Sequence, residues 1–129
     1  MDKPIIFSLI ESPEHPRLSS LYKEMGYEEM QFSSVRKIIS ALKKYKPDVI
    51  IAQFLYAFAS NYASNHISNL DSLLITLQKY SDYKPKLIFL VYKEEHKYLS
   101  QLTSHYEGFS RINHALILPV KKEQVKELL

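Results

Sequence analysis

Apolar positions along this chain alternate between short solid runs and stripes at helical spacing. The run from Ile5 to Ile10 is compact and reads as a strand. Pro13 and Pro16 punctuate the next segment. From about Pro16, Leu18, Leu21, Tyr22 and Met25 recur at helical spacing, and Gly26 is placed to end that helix. Tyr27 to Phe32 alternates polar and apolar residues, as a half-buried edge strand does. Ser33 and Ser34 can cap a second helix, whose inner face is Val35, Ile38, Ile39, Leu42 and Tyr45. Pro47 ends it, because the residue before a proline avoids the α region.

Val49 to Phe54 is the third strand, and a run this apolar is expected to be buried on both faces, as in a parallel sheet. Residues 56–68 are rich in Ser, Asn and Ala and read as a long connection. Asn69 or Asp71 can cap the next helix, which carries the stripe Leu70, Leu73, Leu74 and Leu77. Leu87 to Tyr92 is a fourth strand. Glu94 to about Tyr106 is an amphipathic helix with Tyr98, Leu99 and Leu102 inward, ended by Gly108. Ala115 to Leu118 is a fifth strand, and Lys122 to Leu129 a last helix. Strands alternating with helices predict a three-layer α/β/α domain with a five-stranded parallel sheet. The crossover rule favours the flavodoxin-like strand order 2-1-3-4-5.

Composition adds exclusions. The 129 residues are 46% apolar and 24% charged, ordinary for one globular domain that builds its own core. Cysteine is absent, so disulfides, thiolate metal sites and a cysteine nucleophile are excluded. Two glycines are too few for a phosphate-cradling loop. The net charge of +3 is spread among interleaved acids, which suits a solvated surface better than a nucleic-acid groove. The apolar start runs into Glu11 and not into a cleavage site, and no window approaches the roughly 18 apolar residues of a membrane span. A cytoplasmic protein is expected.

One residue stands out against this pattern. Gln53 is a neutral amide near the end of an otherwise apolar strand, and the carboxyl edge is where open α/β sheets keep their chemistry. Residues 26–54, GYEEMQFSSVRKIISALKKYKPDVIIAQF, and residues 114–129, HALILPVKKEQVKELL, resemble the receiver domain of two-component response regulators, the CheY-like family. In that family a Gly-Tyr opens the second strand, Pro-Asp introduces the strand bearing the phosphoacceptor aspartate, and a short strand ends in Lys-Pro before the last helix.

The resemblance implies a frame with its active positions replaced. The acceptor position falls on Gln53, whose amide cannot form an acyl phosphate. The acidic pair that would hold Mg²⁺ is reduced to Glu11 and Ser12, although the hard cation wants charged oxygens. The lysine that contacts the phosphoryl group is Leu118, before Pro119. The hydroxyl residue of the fourth strand falls near Leu90 or Val91, and the switch aromatic of the fifth on Ala115. Five departures in one direction imply a degenerate pseudo-receiver. Losing clustered carboxylates also removes their mutual repulsion, so the domain needs no metal to be stable.

Other constellations are weaker. His15, His66, His96, His105 and His114 are scattered, without ligand spacing, and are expected at the surface. Ser8, Ser12 and Ser60 lack a nucleophile elbow. Glu94 and Glu95 stand at a helix start, where the backbone dipole favours acids. No enzyme, cofactor or metal is therefore expected.

The resemblance places a docking and dimer surface on the fourth helix, fifth strand and fifth helix, with Tyr92, Tyr98, Tyr106 and Ala115 as candidates. Tyrosine suits such interfaces. Tyr56, Phe58 and Tyr62 are candidates to cover the vacated pocket. The expected function is a non-phosphorylatable signalling domain that binds a protein partner or a second copy of itself. The alternative is a flavodoxin-like domain that binds a small molecule or nucleotide at the carboxyl edge beside Glu11 and Gln53. Residues 1–129 read as one domain. The short last helix suggests a longer protein with an output domain beyond Leu129.

Overall fold

The computed structural model describes residues 3–13, 15–56, 68–80, 83, 85–105 and 113–129. The elements are β1 (Ile5–Leu9), α1 (Ser19–Glu24), β2 (Glu28–Phe32), α2 (Val35–Ala41), β3 (Val49–Gln53), α3 (Asp71–Gln78), β4 (Lys86–Val91), α4 (His96–His105), β5 (Asn113–Ile117) and α5 (Lys122–Leu128). A 3₁₀ turn at Lys93–Glu95 leads into α4. The sheet is wholly parallel, with the order β2-β1-β3-β4-β5 that the alternation predicts. No helix among the described residues is long and apolar enough to cross a membrane.

β3 is central, and all five of its residues are buried. Successive side chains of a strand point to opposite faces, so each apolar strand feeds two cores. Phe7, Leu9, Ile50, Ala52, Leu87, Phe89 and Val91 meet Ile38 and Leu42 near α2, the leucines of α3, and Leu99 of α4. On the other face, Ile6, Val49, Ile51, Ile88 and Leu90 meet Leu21 and Tyr22 of α1 and Val125 of α5. The alternation of Ser8 and Gln53 with these residues puts both side chains on the α1/α5 face.

Several boundaries differ from the pattern for local reasons. α1 begins at Ser19 and not at Pro16, and ends where Gly26 takes φ 86°, a left-handed conformation suited to glycine. Ser34 caps α2 as expected, its hydroxyl accepting from the Lys37 amide at 3.3 Å. That helix stops at Ala41, so Tyr45 leaves the helical face and is 41% exposed. Neither Asn69 nor Asp71 caps α3. The cap position is Leu70, and Asp71 is the first helical residue. The 3₁₀ turn takes up Glu94 and Glu95 before α4 starts. β5 begins at Asn113, two residues ahead of Ala115, and ends at Ile117. Leu99 is buried as expected and Tyr98 half-buried. The Leu102 side chain lies outside the described residues.

Candidate functional site

β3 ends on Gln53, in register with Leu90 of β4, which is itself in register with Leu116 of β5. Just past the end of β5, the Leu118 amide donates to the Val91 carbonyl at 2.9 Å, which carries the chain beyond the edge to Pro119. Leu90 and Leu118 both belong to the core on the α1/α5 face, the side of Gln53. Val91 points to the opposite core. Leu90, not Val91, is thus the β4 neighbour of Gln53.

Gln53 is 1% exposed. The Ser12 hydroxyl donates to Gln53 Oε1 at 2.5 Å, tying the segment after β1 to the end of β3. Gln53 Nε2 is buried without a partner among the described residues. Glu11 is exposed, and its Oε1 accepts from Asn69 Nδ2 at 2.7 Å. The same amide donates to the Gln53 carbonyl at 2.9 Å, while Asn69 Oδ1 accepts from the Leu55 amide at 2.7 Å. Asn69 therefore clasps the exit of β3 and links it to Glu11.

The sequence pattern points Asn69 to a helix cap; only the fold shows that it returns to the sheet edge. Beside it, the buried Asp71 carboxylate accepts from the Ser68 amide at 2.6 Å and the Ser68 hydroxyl at 3.0 Å. An antiparallel bridge from Tyr56 to Ser68 joins the two ends of the 57–67 connection.

Asn69→Ala is expected to lower stability by about 1–2 kcal/mol, the usual size for a few lost hydrogen bonds at a partly buried site. Hydrogen exchange at the Leu55 amide should quicken, because its acceptor is gone. Unchanged protection of Leu55 would show that Asn69 does not act as a clasp.

The oxygen donors near this edge do not suit Mg²⁺. Glu11 is the one carboxylate among Glu11, Ser12 and Gln53, and the other two are hydrogen-bonded to each other. A hard divalent cation is held by charged oxygens, through one or two carboxylates plus water and phosphate.

The other candidate residues are dispersed. Tyr56 packs on the α2/α3/α4 side, its ring stacked on Tyr98 with centroids 3.8 Å apart and planes 6° apart. Its amide donates to Glu95 Oε1 at 3.2 Å. The tyrosine expected over the pocket thus meets one expected on the outer surface. Phe58, Tyr62 and Tyr106 lie outside the described residues. Tyr92 lines a cavity of about 490 Å³ with Lys93, Glu94, Leu118 and Pro119, where the Leu118–Pro119 peptide is cis. Ala115 is exposed on β5, and Ile117 beside it is 37% exposed.

A second polar cluster lies under α1, where the pattern indicated only core. The Ser8 and Ser19 hydroxyls donate to the two oxygens of Glu29 at 2.7 and 2.6 Å. Burial, reinforced by the Glu29 charge, pushes the Tyr22 phenol up. His15 was expected at the surface. It is 2% exposed, and neither ring nitrogen has a well-formed hydrogen bond among the described residues. The segment after β1 turns back, with the His15 amide donating to the Ser12 carbonyl at 3.2 Å, and this carries the imidazole inward. Burial lowers its pKa to about 4, with Glu29 and the Leu9 backbone opposing the shift and Arg17 adding to it.

No family model matches the chain, and no curated protein matches it. Solved structures do. The signal receiver domain of a putative LuxO repressor protein from Vibrio parahaemolyticus superposes with a TM-score of 0.65 at 16% identity, over 97% of this chain and 85% of that one. The response regulator protein TrrA from Thermotoga maritima, in complex with Mg²⁺ and beryllofluoride, gives 0.60 at 20% identity, over 98% and 99%. The receiver domain of the Francisella response regulator 1452 gives 0.62 at 13%, over 96% and 91%. The fold is that of a response-regulator receiver domain.

Proposed function

We propose that this chain is a receiver-like signalling domain that does not accept a phosphoryl group and acts through protein–protein contact. The observation that carries this reading is Gln53. It is buried at the end of β3, bonded to Ser12 and flanked by Leu90 and Leu118. In the receivers that the chain resembles, these places hold the acceptor aspartate, an acid, a hydroxyl residue and a lysine. Here an amide replaces the nucleophile, and two leucines replace the groups that would follow the transferred charge. Signalling by such a domain has to rest on its surface. The exposed Ala115 and Ile117 on edge strand β5, beside the Tyr92 cavity, make an apolar face of the kind that docks a partner or a second copy.

The test is incubation with acetyl phosphate, or with beryllofluoride, in the presence of Mg²⁺. Intact mass is expected to stay unchanged, and the melting temperature to show no Mg²⁺-dependent shift. A phospho-adduct would overturn the proposal. Light scattering at high micromolar concentration separates its two versions: a dimer supports self-association, and a monomer counts against it.

A further inference from the structure

We propose that the cavity where β1 and β2 end takes a small, phosphate-bearing anion. This cavity holds about 270 Å³ and is lined by Ile10, Arg17, Gln31, Phe32, Ser33 and Lys37. Its floor is the end of the strand pair, closed by the Ile10 amide donating to the Phe32 carbonyl at 2.9 Å. It opens on the β2 side of β1, whereas β3 and Gln53 lie on the other side.

Two cations from separate elements converge here. Arg17 comes from the segment before α1 and Lys37 from the first turns of α2. Neither has a carboxylate partner among the described residues; Lys37 Nζ donates to Ser33 Oγ at 3.0 Å. That bond holds the ammonium at the cavity and leaves the Ser33 hydroxyl hydrogen available to a ligand. Gln31 Nε2 donates one hydrogen to Ser19 at 3.2 Å and has a second to give. Of the two acids on this strand, Glu29 shares the face of Gln31 and already accepts from two serines.

The cavity wall is therefore a set of donors: a guanidinium fork, an ammonium, a hydroxyl and an amide. Two like charges facing one concavity repel each other, and an anion between them relieves the repulsion. A planar guanidinium meets a phosphate with two parallel hydrogen bonds, while the lysine acts as a point charge. Side chains replace the glycine loop that the sequence lacks. Pockets for drug-sized ligands run to roughly 300–1,000 Å³, so this smaller cavity suits a phosphate or diphosphate group with little attached, and not a dinucleotide.

The experiment is titration of the amide NMR spectrum with inorganic phosphate and with pyrophosphate at constant ionic strength. Saturable shifts are expected at Arg17, Gln31, Ser33 and Lys37, with pyrophosphate binding the tighter. Arg17→Gln and Lys37→Gln should each weaken binding by about tenfold or more, as loss of one charge-assisted partner does. Both residues are exposed, so the melting temperature should hold. Co-sedimentation with phosphatidic acid vesicles would assign the phosphate to a lipid headgroup; pyrophosphate binding without it assigns a soluble ligand. Shifts that do not saturate, or variants that bind like the parent, would overturn the site. No readout involves Gln53 or phosphoryl transfer, so this proposal and the signalling proposal fail separately.

Discussion

Gln53→Asp is expected to lower the unfolding free energy by on the order of 3 kcal/mol at pH 7, the size of an uncompensated buried charge. On the proposed reading the change restores the acceptor aspartate of a receiver, yet the surroundings do not support a charge. The side chain is 1% exposed, Leu90 is its register neighbour, and Leu118 stands on the same face. Ser12 would still donate one hydrogen bond. The Glu11 carboxylate, held nearby through Asn69, would repel the new charge.

Both desolvation and repulsion raise the folded-state pKa of the new carboxyl above its unfolded value of about 3.9. Below that unfolded value the group is neutral in both states and the deficit is small. As pH rises toward the folded pKa, the unfolded chain ionises first and the variant loses stability. Urea unfolding of parent and variant at pH 4 and pH 7 reads the difference directly. Equal stability at pH 7 would show that the pocket solvates or pairs a charge, contrary to the apolar edge described above. Recovery on adding Mg²⁺ would show that Glu11 and the new carboxylate suffice to hold the ion.

The strand order was legible because it depends on features that pattern reveals. Val49 to Ala52 is solidly apolar because both faces of β3 are covered, and Glu28 to Phe32 alternates because β2 is an edge strand. Gln53 was legible for the same reason: a polar residue in a fully buried strand breaks the pattern. Asn69 was not, since its partners at Glu11, Gln53 and Leu55 are distant in sequence and its local context reads equally well as a helix cap. Arg17 and Lys37 were invisible as a pair, because only the β1/β2 register brings the segment before α1 against α2. Tyr45 was misplaced because periodicity continues past Ala41 in sequence while the helix ends there. Long-range pairings of single polar residues leave no periodic trace.

The unmodified domain is expected to lose on the order of 3 kcal/mol through His15 as pH falls from about 6.5 to about 4. Each unit of displacement corresponds to about 1.4 kcal/mol, and burial moves this imidazole from 6.5 down to about 4. Its folded pKa lies below its unfolded one. As pH drops, the unfolded chain takes up the proton first, while the folded domain keeps the ring neutral until about pH 4. Below that, the residue contributes no further change.

His15→Phe should flatten this dependence. The phenyl ring is close in size, and neither imidazole nitrogen has a well-formed hydrogen bond to lose among the described residues. The two proteins should be similar at pH 7, with the variant ahead by about 3 kcal/mol near pH 4. Parallel curves would mean that the buried histidine is not the group that titrates. The slope is opposite to that expected of Gln53→Asp relative to its parent, so one set of urea curves separates a buried base under α1 from a buried acid at the end of β3. Arg17 joins this effect to the anion cavity, since its charge helps to hold the His15 pKa down. Pyrophosphate bound there would offset that charge and let the His15 pKa rise. The part of the acid-induced loss that runs through His15, read as the difference between parent and His15→Phe, should then shrink.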